Sequence, residues 1–599
     1  MSTPEASTST LHGNEPVEPA FHRVSVGDLP PGCSIGPELY DTPRGIVSGI
    51  PKSNGTVERS SGLTDGVEAP GQPVKVIWVE FPPGSPDNPF SYTRRRKIAI
   101  MFCALFFAFC TALQGAAYAQ GIPSMTRDLG TTEIEALAGV SLYPWGFALG
   151  PLVLAPITEE YGRYWAYVGA VAVYTLLHLT QSLAQNTATV LVGRFLMGLA
   201  GCIGSTVVAG TVSDLYMPEE RGAPMALFTL CVVSGTGFAA LFAYVEANPH
   251  LQWRWIGWIQ LIILCIYFVV CILIIGETRA PILLRRRAKK LRESRGEQDG
   301  GRYTARSEVD KPALVTALKT SLKRPIMFLL LEPVVTFFGI WLALVWGVFF
   351  IEIAGISYVF ENVFGFGTSA QGSVFWCFTI GGLLGYLGNF YQDSLYRKYY
   401  PTRGVEARLY APMASGILFA VGSMIFGLTS VPTAHWIGPC IGITLLMTGA
   451  FAIYQTGFLY LSQCYGTNAS SAIAGMSFLR IIVGSSFAMF TNKLFESMTP
   501  RWGLFLMGCI GLLLAPIPFV AYYYGPWIRE RSPYSKILIA EEKQRVEAEM
   551  LLQQKTEAEV ARVISGQSMR RNLSRGMSRA KSRPDPVRNE SVEKAPETA

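Results

Sequence analysis

Apolar runs of about 20 residues recur along this chain, each long enough to cross roughly 30 Å of hydrocarbon as an α-helix. They predict spans near 98–119, 136–156, 165–184, 188–209, 225–245, 255–275, 327–351, 373–391, 410–428, 434–458, 470–491 and 503–524. One such run fits a buried core helix; a dozen in series do not. The runs lack the period-two alternation of barrel strands, and lipid offers the backbone no partner outside a helix. Polar sequence brackets them. The chain divides into an N-terminal tail (1–92) expected to be disordered, a first membrane half (93–275), a central loop (276–326), a second half (327–525) and a C-terminal tail (526–599). The implied fold class is an all-α polytopic membrane protein of about twelve transmembrane helices in two pseudo-symmetric six-helix halves. In that layout a binding site is expected between the halves, near the bilayer midplane.

Charge placement orients the spans. Arg94, Arg95, Arg96 and Lys97 precede the first, and the central loop holds Arg285, Arg286, Arg287, Lys289, Lys290 and Arg292. Arg397, Lys398, Arg403 and Arg408 follow the eighth, and Arg529 and Arg531 follow the last, whereas loops 185–187 and 429–433 carry almost no charge. With twelve crossings all the basic segments share one face, which predicts cytoplasmic termini and a cytoplasmic central loop. Residues 1–70 contain no apolar core of a signal peptide, so the first span is expected to direct insertion.

Composition changes this picture little. Of 599 residues 50% are hydrophobic and 16% charged, with a mean hydropathy of +0.30. The net charge of +7 lies in flanks and loops, as membrane orientation requires, and does not indicate nucleic acid. Ten of eleven cysteines, all but Cys33, lie in or beside apolar segments, where thiols act as small hydrophobes. Residues 538–563 read as a charged, solvated helix and 569–583 as a basic Ser/Arg segment, together a regulatory or tethering tail. No metal-ligand cluster, phosphate-binding loop or hydrolase elbow is legible. The reading is therefore no enzyme, no metal and no cofactor, with energy drawn from an ion gradient.

The most informative segment is Gly150-Pro151-Leu152-Val153-Leu154-Ala155-Pro156-Ile157-Thr158-Glu159-Glu160-Tyr161-Gly162-Arg163, between the second and third spans. Gly150 permits close helix approach, the prolines break or kink the helix end, and Gly162 supplies a tight turn. Glu159 and Arg163 are left as fixed charges at helix termini. The segment resembles the loop signature of the major facilitator superfamily, in the form found in fungal twelve-span drug:proton antiporters. Gly193–Gly198, Ser213–Tyr216, Pro218–Gly222, Trp253–Ile256, Glu277-Thr278 with Ala280-Pro281, Glu406–Leu409, Arg480 and Pro516–Pro518 extend the resemblance over about Asp87 to Ser535. Two departures stand out. The fifth span reads Ser234–Ala243 without the proline of the family's antiporter signature, and Gln463 replaces a common acid.

The resemblance implies the major facilitator fold and export of a drug-like compound or secondary metabolite by alternating access, with proton antiport. Uptake by symport or facilitation, and a transporter-like receptor, are the alternatives. Implied partners are a small-molecule substrate, protons and the lipid bilayer, with the protein acting as a monomer in the plasma membrane or, alternatively, the vacuolar membrane. Gly150, Glu159, Gly162, Arg163 and Asp214 are read as a conformational latch, with Arg163 and Asp214 pairing when the cytoplasmic face is closed and separating when it opens. Arg194, Glu352 and Arg480 are intramembrane charges, costly and therefore candidates for proton coupling or substrate contact. Glu352 is placed near one end of the seventh span, and His178 is read as structural. Tyr118, Gln120, Tyr143, Trp145, Trp346, Tyr358, Phe375 and Tyr454 are cavity candidates, suited to amphipathic or apolar cargo.

Overall fold

The computed structural model describes residues 72–82, 84–217, 220–295, 301–309 and 314–532, with short stretches between 30 and 68 and Lys536. The expected C-terminal charged helix and basic segment lie outside the described residues.

Among the described residues twelve helical crossings follow one another. The first half holds Arg94–Gln120, Glu133–Tyr161, Arg163–Ser182, Thr187–Leu215, Gly222–Ala247 and Gln252–Ile274. Arg163–Ser182 crosses with its polar residues Tyr167, Tyr174, His178 and Gln181 buried against protein. The second half holds Pro333–Asn362, Trp376–Arg403, Tyr410–Thr429 and Ile437–Tyr465. An eleventh span starts with Ala469–Ser486, and the twelfth runs through Ile517–Arg531, whose last described residues belong to a separate C-terminal unit. Between them the chain turns at Thr499 (φ 64°, ψ 153°), just before Pro500. The extended ψ is what a residue before proline favours.

The second span is not broken at its prolines: one helix runs from Glu133 through Pro144, Pro151 and Pro156 to Tyr161. In an apolar medium the remaining helical hydrogen bonds have no competitor, so single gaps are tolerated. The seventh helix also outruns its apolar stretch. It continues to Asn362, which puts Glu352 ten residues inside the helix rather than near an end. A charge ends an apolar run in sequence, but a charge packed inside protein does not end a helix.

Two pairs of spans join the halves at the face opposite the central loop. The Ser141 hydroxyl of the second span donates to the Ser485 carbonyl oxygen of the eleventh (2.7 Å), and the Asn492 side chain donates to Glu133 (2.6 Å). The fifth and eighth spans meet so closely that any side chain at Gly372 would collide with Ala243. Tyr244 and Ser373 share a hydrogen bond beside it (2.8 Å).

Where a disordered tail was expected, the described residues between 33 and 79 include strands. Strand β1 (Cys33–Thr42) pairs antiparallel with β2 (Gly45–Val47) and with β3 (Gln72–Val79), and β3 pairs in parallel with β4 (Arg302–Thr304) from the central loop. Val-Lys-Val-Ile-Trp-Val supplies β-branched residues, and Ile77 and Val79 bury against Ala288, Tyr303 and Ala305. The apolar strand gains its partner surface from a segment more than 200 residues away, so local composition reads as polar tail. The central loop also contributes two helices, Ala280–Arg295 and Leu314–Leu331.

Candidate functional site

A cavity of about 1350 Å³ lies between the halves. It runs from the face carrying Glu159–Arg163, Asp214, Arg279 and Arg408 to mid-span residues Tyr143, Trp346, Tyr454 and Arg480. None of its lining residues belongs to the opposite loops, where the contacts described above shut it.

Aromatic rings dominate the deep wall. Trp346 packs on Tyr454 (4.8 Å between ring centroids) and on Phe349 (5.7 Å), and Tyr454 on Phe458 (4.7 Å). Of the eight sequence-selected cavity residues, Tyr143, Trp346 and Tyr454 line the space. The other five stand elsewhere. Tyr118 is buried beneath Arg194 and donates to the Ala136 carbonyl oxygen (3.1 Å), and Gln120 is buried beside the closed Gly372 contact. Trp145 is half-buried outside the cavity lining, Tyr358 stacks on Phe495 (5.5 Å), and Phe375 is fully buried against Phe378. These spans are apolar on every side, so periodicity does not say which aromatic faces the cavity and which faces a neighbouring helix. Sequence reasoning also missed Phe349, Phe350, Phe451 and Phe458; the four-residue step from Tyr454 to Phe458 was the available signal.

The three intramembrane charges part company. Arg194 does not line the cavity. Its guanidinium donates to the carbonyl oxygens of Gly139 (3.0 Å) and Gln114 (3.2 Å), and lies over the rings of Tyr118 (4.2 Å) and Tyr143 (4.6 Å). It thereby ties the fourth span to the first and second. Arg480 does line the cavity, over Trp346 (4.3 Å) and Tyr454 (4.9 Å). Glu352 is fully buried, and neither carboxyl oxygen has a hydrogen-bond partner among the described residues. Its neighbours Phe349, Phe350 and Ile353 reach the cavity wall while its own side chain does not. His178 is buried with Nδ1 against the Tyr174 carbonyl oxygen (2.9 Å).

At the cavity mouth, the Arg163 Nε donates to Asp214 Oδ2 (3.2 Å) and its Nη1 to the Thr158 hydroxyl (3.2 Å). This pair is made although the cavity is open on the same face. The expected separation does not occur, because both partners belong to the first six-helix half and rocking one half against the other need not part them. Glu277, quoted in the sequence without a role, proves central to this corner. It accepts from the backbone N–H groups of Arg163 (3.0 Å), Tyr164 (3.4 Å), Thr278 (3.1 Å) and Arg279 (3.0 Å), capping the start of the third span. Gly162 makes this possible: its φ of 100° excludes most side chains, and a Cβ there would overlap the Glu277 carboxylate. Gly150 lets the second span sit against Leu199 and Cys202 of the fourth. Glu159 faces Arg279 (3.7 Å) and Glu160 faces Arg285 (3.2 Å), so the central loop is pinned to the first half. Burial lowers the pKa of Arg279 from its ordinary value, Glu159 opposing the shift.

A two-lobed bundle of twelve spans among the described residues, with a large cavity between the halves open to one face, is the architecture of a membrane transporter. Residues 100–489 match the Major Facilitator Superfamily. The chain belongs to that superfamily. It is 30% identical over 461 residues to the MFS-type transporter paaT of Penicillium rubens, an alignment covering 76% of this chain and 83% of that one. It is 28% identical over 465 residues to the major facilitator superfamily multidrug transporter FLU1 of Candida albicans, covering 76% and 75% of the two chains. Among solved structures, the proton:xylose symporter XylE from E. coli shares the fold, with a TM-score of 0.52 at 14% identity over 72% of this chain and 96% of that one. The protein is a transporter of small molecules, not an enzyme.

Proposed function

We propose that the protein exports amphipathic or apolar small molecules by alternating access, in exchange for protons. The observation that carries this reading is the cavity, open on one face and shut on the other. The open face bears the basic loops, so the positive-inside rule makes it cytoplasmic and makes this the cargo-loading state. Relatives named as multidrug transporters and efflux pumps support the outward direction. Aromatic walls suit apolar cargo bodies. Glu352 is the group assigned to proton exchange, since a carboxyl buried in a span without a partner is costly to keep for packing alone. The plasma membrane is the proposed location.

The fifth span favours one competitor. It lacks the antiporter proline, which fits uptake or facilitation equally well. One experiment separates the readings: intracellular retention of a metabolite panel with and without the protein, before and after collapse of the proton gradient, for wild type and Glu352→Gln. Export predicts lower retention with the protein, loss of that effect on collapse, and a Glu352→Gln variant insensitive to collapse. Accumulation caused by the protein favours uptake, and gradient-independent export removes the antiport assignment.

A further inference from the structure

The cavity's charges say more about its cargo than its rings do. The carboxylates on its wall are Glu159, Glu160 and Asp214, and each is ion-paired, with Arg279, Arg285 and Arg163 respectively. None is left to attract a cation. Arg480 stands apart from them. It lies eleven residues into the helix that starts at Ala469, or about 16 Å at 1.5 Å per residue, near the middle of a roughly 30 Å hydrocarbon layer. It is only 5% exposed, is in no ion pair among the described residues, and its Nε has no hydrogen-bond acceptor. Trp346 and Tyr454 cover the face of its guanidinium, which leaves the edge, with its fork of donors, for a planar acceptor.

We infer that the cargo is an amphipathic organic anion whose carboxylate, or a planar anionic equivalent, seats on the Arg480 edge while its apolar body lies on Phe349, Phe350, Phe451 and Phe458. A buried cation without a counter-charge is costly, and an anionic ligand removes that cost at the moment of binding. A carboxylate takes two parallel N–H bonds from a guanidinium, which fixes its orientation as well as its charge. Arg221 and Arg324 at the mouth add positive potential along the route inward, and among the described residues Arg221 bonds to the Ser213 and Tyr216 carbonyl oxygens and to no carboxylate. At about 1350 Å³ the cavity exceeds an ordinary ligand pocket, so selection rests on this charge contact rather than on a close fit.

This assignment rests on the cavity being the cargo site, but not on the direction of transport. Equilibrium dialysis of the purified full-length protein in detergent tests it with three matched probes: naphthylacetate, its uncharged amide, and naphthylmethyl-trimethylammonium. Naphthylacetate should bind at least about tenfold more tightly than the other two. Arg480→Gln should abolish that preference, bringing naphthylacetate down to the amide's affinity or below, and Arg480→Lys should retain part of it. Equal affinities, preference for the ammonium, saturable binding of none of the three, or an undiminished preference in Arg480→Gln each overturn the assignment. The wild-type comparison stands even if Arg480→Gln fails to elute as a monodisperse protein. Detergent solution has no gradient and no sides, so a negative result here leaves the export reading intact, and a failed retention assay leaves this one intact.

Discussion

Gly162→Ala should be among the most destabilising single-methyl changes in the third span, and its cost is traceable to two causes. The first is conformational: φ 100° with ψ 167° lies in a region essentially restricted to glycine, and forcing alanine there costs about 1–3 kcal/mol. The second is displacement: the new methyl occupies the place of the Glu277 carboxylate, which then loses its 3.0 Å bond to the Arg163 N–H. A charge-assisted bond of this kind is worth about 1.5–3 kcal/mol, and a buried N–H is left without a partner. Together the expected loss is about 3–5 kcal/mol. Gly169 on the same helix provides the contrast, since it is exposed and a methyl there meets nothing within 4 Å. Gly169→Ala should be neutral or stabilise the helix by roughly 0.5–1 kcal/mol. Both variants, with wild type, are heated in detergent and the remaining monodisperse fraction is measured by gel filtration. Gly162→Ala should melt several degrees lower and Gly169→Ala no lower. A cycle with Glu277→Ala isolates the second cause: the double variant should lose clearly less than the sum of the singles. Wild-type melting of Gly162→Ala, or full additivity in the cycle, would refute the reasoning.

Three further outcomes follow from the same geometry. Asp214→Ala breaks an ion pair whose side chains are 9% and 17% exposed, and should cost about 1–3 kcal/mol of melting stability after discounting for solvent screening. Because the pair is internal to one half, cysteine-accessibility probes of the opposite face should not change; a shift in them would restore the latch. Arg194→Lys should lower thermal stability by about 1–2 kcal/mol, since an ammonium cannot hold both carbonyl oxygens and stack on two rings, yet leave the proton dependence of transport intact. Altered proton dependence at wild-type stability would return Arg194 to the coupling machinery. Ser141→Ala removes a hydrogen bond between halves worth about 0.5–1.5 kcal/mol, and should raise up to about tenfold the alkylation rate of a cysteine introduced near Asn492. No change in that rate would mean the contact does not hold the opposite face shut.

Much of the architecture was legible because lipid makes one demand of every span. A segment of about 20 apolar residues must be helical, whatever surrounds it, so the crossings and their order follow from composition alone. Charge told which loops share a face for the same reason, since that cost depends on the medium and not on a neighbour. The strand β3 was not legible, because its partners Tyr303 and Ala305 come from the far side of a whole membrane half. Arg194 and Arg480 looked alike in sequence, each an arginine in an apolar run. One is spent on the carbonyl oxygens of Gly139 and Gln114; the other lines the cavity, its buried Nε without an acceptor among the described residues.

The sequence by itself determined a membrane-spanning helical chain, its family and the loop corner around Gly162, because those depend on medium and on residues adjacent along the chain. Tertiary structure alone decided which face of each span meets the cavity, that the Arg163–Asp214 pair is made with the mouth open, and that Arg480 rather than Arg194 lines the cavity. Spans that are apolar all round carry no periodic mark of their inner face, so only the packing of one helix on another assigns it.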